Sequence, residues 1–397
     1  VYKLSLPSLN LPAEPWQKSL AERQQLLVAG EYKIAYYYEV FNNSSFRYRA
    51  YNMAEAINTR PSRCGLSASY FCRADFTVFR WLARTANQLV VCRSGEEEYL
   101  LELISLFRDQ GKTIIFDTDD LVIDPAYARH VAFALGQDLG STGTLDYWHA
   151  YFSRMRATAL RCDAICTTND YLSRLSASSL GIPGLVIKNS LNRHQLQVSK
   201  SLYAEKRSHS FARSSRVTIG YFSGSPSHLR DFDLISDALS MLMTQREDVD
   251  LLICGYIELP DKLNSFRDRV RYEPFRDYVS LQNLIASCEF CLAPLEYNTF
   301  TNCKSELKYF ESAAVGTLCI ASPTFAFRTV IDHGLNGWIS RSHEWLNVLT
   351  VAIEYLDERL PGMAQRACDA ALCHFGPEAT WHSIVKAYAL GSLLQNG

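Results

Sequence analysis

The side chains best suited to chemistry fall in a few short stretches. Residues 303–311 read CKSELKYFE. Lys304 and Lys308 supply two positive charges four positions apart, and Glu311 supplies an acceptor-only side chain suited to the paired hydroxyls of a sugar or ribose. Residues 219–232 read IGYFSGSPSHLRDF. A strand followed by Gly220, Gly224 and Ser225 before a helix lets backbone N–H groups approach a diphosphate closely. His228 and Arg230 follow at a helix start, where arginine can grip phosphate through two parallel bonds. An ordinary strand-to-helix turn uses the same glycine and serine.

A third stretch is DTDD, with Asp117, Asp119 and Asp120. Clustered carboxylates can hold Mg²⁺ or Mn²⁺. They also cap helices or pair with arginine. Arg47 and Arg49, in FRYR, stand at the start of a predicted helix. Cations are disfavoured at that end of the helix dipole, so they call for an anionic partner. That partner is an acceptor phosphate or one of the carboxylates Asp117 to Asp120; a solvated helix face is the plain alternative. Tyr272 and Pro274, in RYEPF, end a short strand with a proline turn.

Other chemistries lack their residues. There is no GxxxxGK[ST], no GxSxG and no HExxH, and His130, His149 and His333 are isolated. Of the 12 cysteines, Cys162 with Cys166 and Cys288 with Cys291 lie in apolar runs with no second pair at zinc spacing. They read as reduced core thiols, in a reducing cytoplasm. A net charge of -2 argues against bulk nucleic-acid binding. No run approaches the roughly 18 apolar residues of a membrane span, and no secretory leader is visible.

The elements that must position these groups alternate. Apolar runs at 33–40, 67–72, 88–92, 112–116, 162–167 and 185–188 read as strands separated by helical sequence, including helices at 46–58 and 96–110. Residues 190–215 lack a sustained apolar stripe and read as a boundary between domains. Alternation restarts with strands at 217–222, 249–254, 270–272, 290–295 and 318–320, and helices at 228–244, 278–286 and 344–356. Between 295 and 322 the expected order is loop, helix capped by Ser305, Gly316 stop, and buried strand. The reading is α/β, with two doubly wound parallel sheets. Residues 1–30 form an extension, 31–200 one domain, 214–375 a second, and 376–397 a terminal helix.

The pattern KSELKxxExAAxG, followed by an apolar strand and Ser322, resembles the donor-site helix of family-4-type, GT-B-fold glycosyltransferases. The SGSxxH run at 223–228 is also similar to that family. The resemblance implies two Rossmann-like domains across a cleft, with the terminal helix returning to the first. It implies a nucleotide-sugar donor, a carbohydrate or lipid-linked glycan acceptor, retention of configuration, and a role in polysaccharide or glycan assembly. Glu311 would hold the donor ribose, Lys304 and Lys308 would face the diphosphate, and Asp119 and Asp120 would reach the substrate. Gly224, Ser225, His228, Tyr272, Pro274 and Ser305 would line the donor site, and Arg47, Arg49 and Asp117 the acceptor side. No metal or other cofactor is expected, because such enzymes neutralise the diphosphate with fixed cations and helix dipoles. Cytoplasmic location, with peripheral contact to a membrane or to other biosynthetic enzymes, accompanies this reading. Many relatives carry a glutamate where this chain has Cys303. The alternatives are a glycan- or nucleotide-binding module and an epimerase on the same scaffold.

Overall fold

The computed structural model describes Tyr2 and residues 14–41, 43–59, 65–224 and 229–389. The described chain divides into two compact units. The N-terminal unit holds 14–192, 303–305 and 376–389; the C-terminal unit holds Tyr2, 193–302 and 306–375.

The N-terminal unit is built on β1 (Tyr32–Tyr37), β2 (Leu66–Phe71), β3 (Gln88–Cys92), β4 (Thr113–Thr118), β5 (Ala164–Thr167) and β6 (Gly184–Val186), in the order β2-β1-β3-β4-β5-β6. Every pairing is parallel. Parallel neighbours need a crossover, which here is helical and covers the sheet, so strands such as β2 and β3 are buried along their whole length. Helix Asp170–Leu180 follows β5; Asn169 caps it by accepting the Leu172 N–H at 2.9 Å, and Gly181 closes it at φ +70°. The terminal helix Pro377–Ala387 belongs to this unit and packs on helix Asn52–Asn58.

The C-terminal unit carries β7 (Val217–Ser223), β8 (Val249–Gly255), β9 (Val270–Glu273), β10 (Phe290–Ala293), β11 (Leu318–Ala321) and β12 (Trp338–Ile339), in the order β12-β11-β10-β7-β8-β9. These strands too are all parallel. Each sheet reverses its winding once, between β1 and β3 in one unit and between β7 and β10 in the other. Open α/β sheets bind ligands outside the carboxyl ends of the strands at that reversal.

Several elements depart from the sequence reading. The helix expected at 46–58 starts earlier, under an Asn43 cap, and passes through a π-helical turn, Arg47–Tyr51, before helix Asn52–Asn58. All five residues of the π turn are buried, so packing on the sheet overrides regular winding. The expected boundary at 190–215 contains helix Arg193–Ser208, whose buried stripe mixes Val198, Leu202 and Tyr203 with Gln195, Ser199 and Lys206. The helix expected at 228–244 is broken into Leu229–Asp233 and Ser236–Gln245. Ser305 caps nothing: the helix is Leu307–Ala313 with Glu306 at its N-cap, and Ser305 instead accepts a hydrogen bond from Asn189 Nδ2 at 3.2 Å. Gly316 does end that segment at φ +66°, where a Cβ would lie 2.8 Å from the Tyr203 ring.

Candidate functional site

At the C-terminal reversal, helix Leu307–Ala313, which leads into β11, sets its first turn against β7. The Lys308 ammonium lies 4.2 Å from the centroid of the Tyr221 ring of β7. Burial lowers the Lys308 pKa, against the pull of Cys291, Asp231, Cys319 and Glu311. Glu311, 9% exposed, accepts from Gln195 Nε2 at 3.2 Å, while Gln282 Nε2 donates to its backbone carbonyl at 3.2 Å. Gln195 comes from the helix in the stretch expected to be a boundary, so sequence pattern gave no reason to expect it here.

Gly224 follows β7 and is exposed, and among the described residues beyond its chain neighbours no atom lies within 4 Å of where a Cβ would stand. Ser225 and His228 lie outside the described residues. Arg230 is exposed on the short helix after the turn. Gly220 plays no part in the turn: it sits inside β7, where a Cβ would meet the Phe222 ring at 2.6 Å and Cys288 Sγ at 2.9 Å. Tyr272 is 48% exposed at the end of β9, and the Pro274 carbonyl accepts from Cys254 Sγ at 3.3 Å. Beside them Tyr256 and Phe275 stack at 5.6 Å, both more than half exposed. Tyr256 follows Gly255, which holds φ +103° with the Ser223 carbonyl oxygen 2.0 Å from its Cβ direction, so only glycine fits.

In the N-terminal unit the acidic stretch divides. Asp117 is the penultimate residue of β4, and it takes both a Nε and a Nη2 hydrogen of Arg49 at 2.7 Å. Both side chains are 1% exposed. Arg49 Nη1 donates to the Ile187 carbonyl at 2.7 Å and to Asn189 Oδ1 at 3.0 Å. Burial pushes Asp117 up against the pull of Arg49. Of the two anionic partners considered for Arg49, the carboxylate is the one it has. The pair is sealed inside, which corrects the placement of Arg49 and Asp117 on the acceptor side. Arg47 is buried with its guanidinium 4.3 Å from the centroid of the Tyr48 ring.

Asp119 and Asp120 stay partly open and are joined by Arg93, which the sequence reading missed. Arg93 Nη1 lies 3.1 Å from Asp119 Oδ1 and Nη2 lies 3.6 Å from Asp120 Oδ2. Ser45 Oγ donates to Asp119 Oδ2 at 2.7 Å, and Lys304 Nζ reaches Asp120 Oδ2 at 3.2 Å. Burial opposes the charge on Asp119, but Arg93, the Ser45 hydroxyl, Arg49 and Lys304 outweigh it and hold its pKa below the usual carboxylate value. Arg93 adopts φ +38°, a conformation uncommon for a side-chain-bearing residue and concentrated at functional sites. A basic residue immediately after a buried strand was the available signal. Lys304 is not helical, because its helix starts three residues later, so it does not share a helical face with Lys308. Cys303 is buried and its thiol is pushed up by that burial; its carbonyl accepts from Asn169 Nδ2 at 3.2 Å. Among the described residues no three His, Cys, Asp or Glu side chains gather as a metal set. A cavity of about 580 Å³ opens near the ends of β10 to β12, lined by Leu295, Tyr297, Ser322, Arg328 and Arg341 among others, and none of the expected site residues lines it.

Residues 216–358 match a family model described as "Glycosyl transferases group 1". No curated protein sequence matches the chain. Among solved structures, HepE of Anabaena in complex with UDP is similar at 14% identity and TM-score 0.59, covering 90% of this chain and 100% of that one. A glycosyltransferase from Rickettsia africae aligns at 11% identity and TM-score 0.62, over 92% of this chain and 100% of that one. Sucrose-phosphate synthase from Thermosynechococcus elongatus aligns at 14% identity and TM-score 0.59, over 92% and 99%. The chain has the GT-B fold, and the stretch of its C-terminal unit from 216 to 358 is what resembles the group 1 glycosyl transferases. Among the described residues, no helix is long and apolar enough to cross a membrane.

Proposed function

We propose that this protein transfers a glycosyl group from a nucleotide-sugar, a uridine diphosphate sugar first, to a carbohydrate acceptor with retention of configuration. One coincidence carries the reading. The segment matching the transferase family, residues 216–358, contains the β7/β10 reversal at which Lys308 and Glu311 stand. The uridine nucleotide is suggested by HepE, whose structures were solved with UDP and with UDP-glucose.

In this reading Glu311 accepts from the ribose hydroxyls, with Gln195 holding one of its oxygens in place. The exposed Tyr256–Phe275 pair offers a face for the base. As the bond to the sugar breaks, negative charge grows on the diphosphate; the Lys308 ammonium and Arg230 stabilise it. Lys308 acts from a desolvated position, where a charge interaction is worth more than in water. The acceptor hydroxyl attacks on the donor's own face, so no covalent nucleophile is assigned. Asp119 and Asp120, fixed by Arg93, Ser45 and Lys304, belong to the acceptor side.

The test is a thermal-shift screen of UDP-, GDP- and ADP-sugars, followed by calorimetry. A ligand at 100 times its Kd stabilises by about 2.7 kcal/mol. Glu311→Ala is expected to weaken UDP binding by roughly 1.5–3 kcal/mol, the scale of a hydrogen bond to a charged acceptor. If no nucleotide-sugar shifts the melting curve, the proposal fails.

A further inference from the structure

The geometry points to an acceptor subsite for a glycan chain on helix Thr142–Ala159, built from Tyr147, Trp148 and Tyr151. The inference rests on the sugar-transfer reading and narrows its acceptor to an oligosaccharide of at least two rings. Tyr147 and Tyr151 are four residues apart and share one helix face. Their rings lie within 16° of parallel with centroids 6.2 Å apart, and Tyr147 is 62% exposed. Trp148 stands edge-on to both, at 5.5 Å and 5.9 Å, and is itself braced by buried Phe152 at 6.2 Å. Single exposed aromatics are ordinary on protein surfaces; a braced row of three is not.

The row is continuous with the polar cluster. Tyr151 Oη accepts from Arg93 Nε at 3.3 Å, and Arg93 leads directly to Asp119, Asp120 and Ser45. The side chains of Arg93, Asp119, Asp120 and Lys304 are 23%, 14%, 14% and 25% exposed, so a ligand can reach them. Arg93 and Lys304 balance Asp119 and Asp120, leaving no net charge to recruit an anion. What remains is a set of fixed donors and acceptors, suited to vicinal hydroxyls, beside electron-rich ring faces. A pyranose has that duality: hydroxyls around its edge and a face of weakly positive C–H groups that suits the negative face of an aromatic ring. Four residues of helix advance about 6 Å, comparable to one step along a glycan. One sugar therefore meets the polar cluster while the next lies on the rings. A lipid surface fits less well, because the row runs through Tyr151 straight into the charged groups Arg93, Asp119 and Asp120.

The test uses the full chain and saturation-transfer NMR with calorimetry on maltotetraose, cellotetraose, mannotetraose and chitotetraose, each against its monosaccharide. At least one tetrasaccharide should bind more tightly than its monosaccharide. Tyr147→Ala and Trp148→Ala should each weaken it by roughly threefold to tenfold, the scale of one aromatic contact, and Tyr147→Phe should restore it. Tyr355→Ala, removing an exposed ring in the other unit, should leave it unchanged. The inference is overturned if the Ala variants bind like wild type, if no tetrasaccharide outbinds its monosaccharide, or if the variants abolish binding to phosphatidylglycerol vesicles and not to glycans. UDP calorimetry on the same samples separates the two readings. With UDP bound but no glycan preference, only the subsite falls; with neither, the transferase reading falls too.

Discussion

Replacing Lys308 by methionine separates catalysis from stability. The methionine keeps the apolar stem against Tyr221 and removes only the charge. Two unit charges about 4 Å apart interact by roughly 4 kcal/mol at an effective dielectric of about 20. Part of that attraction already exists in the bound ground state and does not accelerate the reaction. The growing share should then account for about 10²–10³ in kcat, the scale of one preorganised donor. Stability should move the other way. Because the folded pKa of Lys308 is lowered, its burial penalises the native state fully below that pKa, and the penalty fades as pH rises toward the unfolded value. Lys308→Met is therefore expected to be more stable than wild type at neutral pH. Steady-state UDP release measures the first effect and urea unfolding the second. Turnover within a few-fold of wild type in a folded variant, or a loss of stability, would refute the reasoning.

Arg49→Met leaves the Asp117 carboxyl buried without its partner, so urea unfolding should show a loss of about 3–5 kcal/mol; a loss under about 1 kcal/mol would mean the pair is not sealed. Lys206, buried with Nζ 3.0 Å from Thr317 Oγ1, has its pKa lowered by burial to about 7. Between that value and the ordinary 10.5 the unfolded chain binds more protons, so this group makes stability rise with pH across that window, by up to about 5 kcal/mol. Relative to Lys206→Met, wild type should gain stability between pH 7 and 10; a constant difference refutes it. Activity should persist in excess EDTA, because Asp119 and Asp120 face Arg93 and Lys304. Loss on chelation with rescue by Mn²⁺ or Mg²⁺ would assign those carboxylates to a metal.

What was legible in the sequence follows physical range. β3 spans Gln88–Cys92 and the helix at Tyr278–Ala286 has the expected bounds, because a continuous apolar run and a 3.6-residue stripe are local signals. The helix Leu356–Phe375 was missed because Pro361 and Gly362 interrupt it near its start. Leu360, Met363, Ala364, Ala367, Cys368, Ala371 and Phe375 bury one face, and that burial outweighs the missing N–H. At the site the same limit acts on pairing. Arg49 and Asp117 are 68 positions apart and Lys304 and Asp120 are 184 apart, so charge pattern alone could propose partners but not choose them.

The two lysines show what that choice decides. On a continuous helix they would be equivalent neighbours four residues apart. The non-helical turn at 303–306 ends that equivalence. Lys304 is drawn into an ion pair whose carboxylate is itself held by Arg93, so its charge is already largely answered. Lys308 rests on an aromatic face, desolvated, with its charge available to an incoming anion. Deleting Lys304 should therefore act first through the placement of Asp120, and deleting Lys308 through the leaving group. A glycan acceptor at saturating concentration should rescue part of the first defect and none of the second.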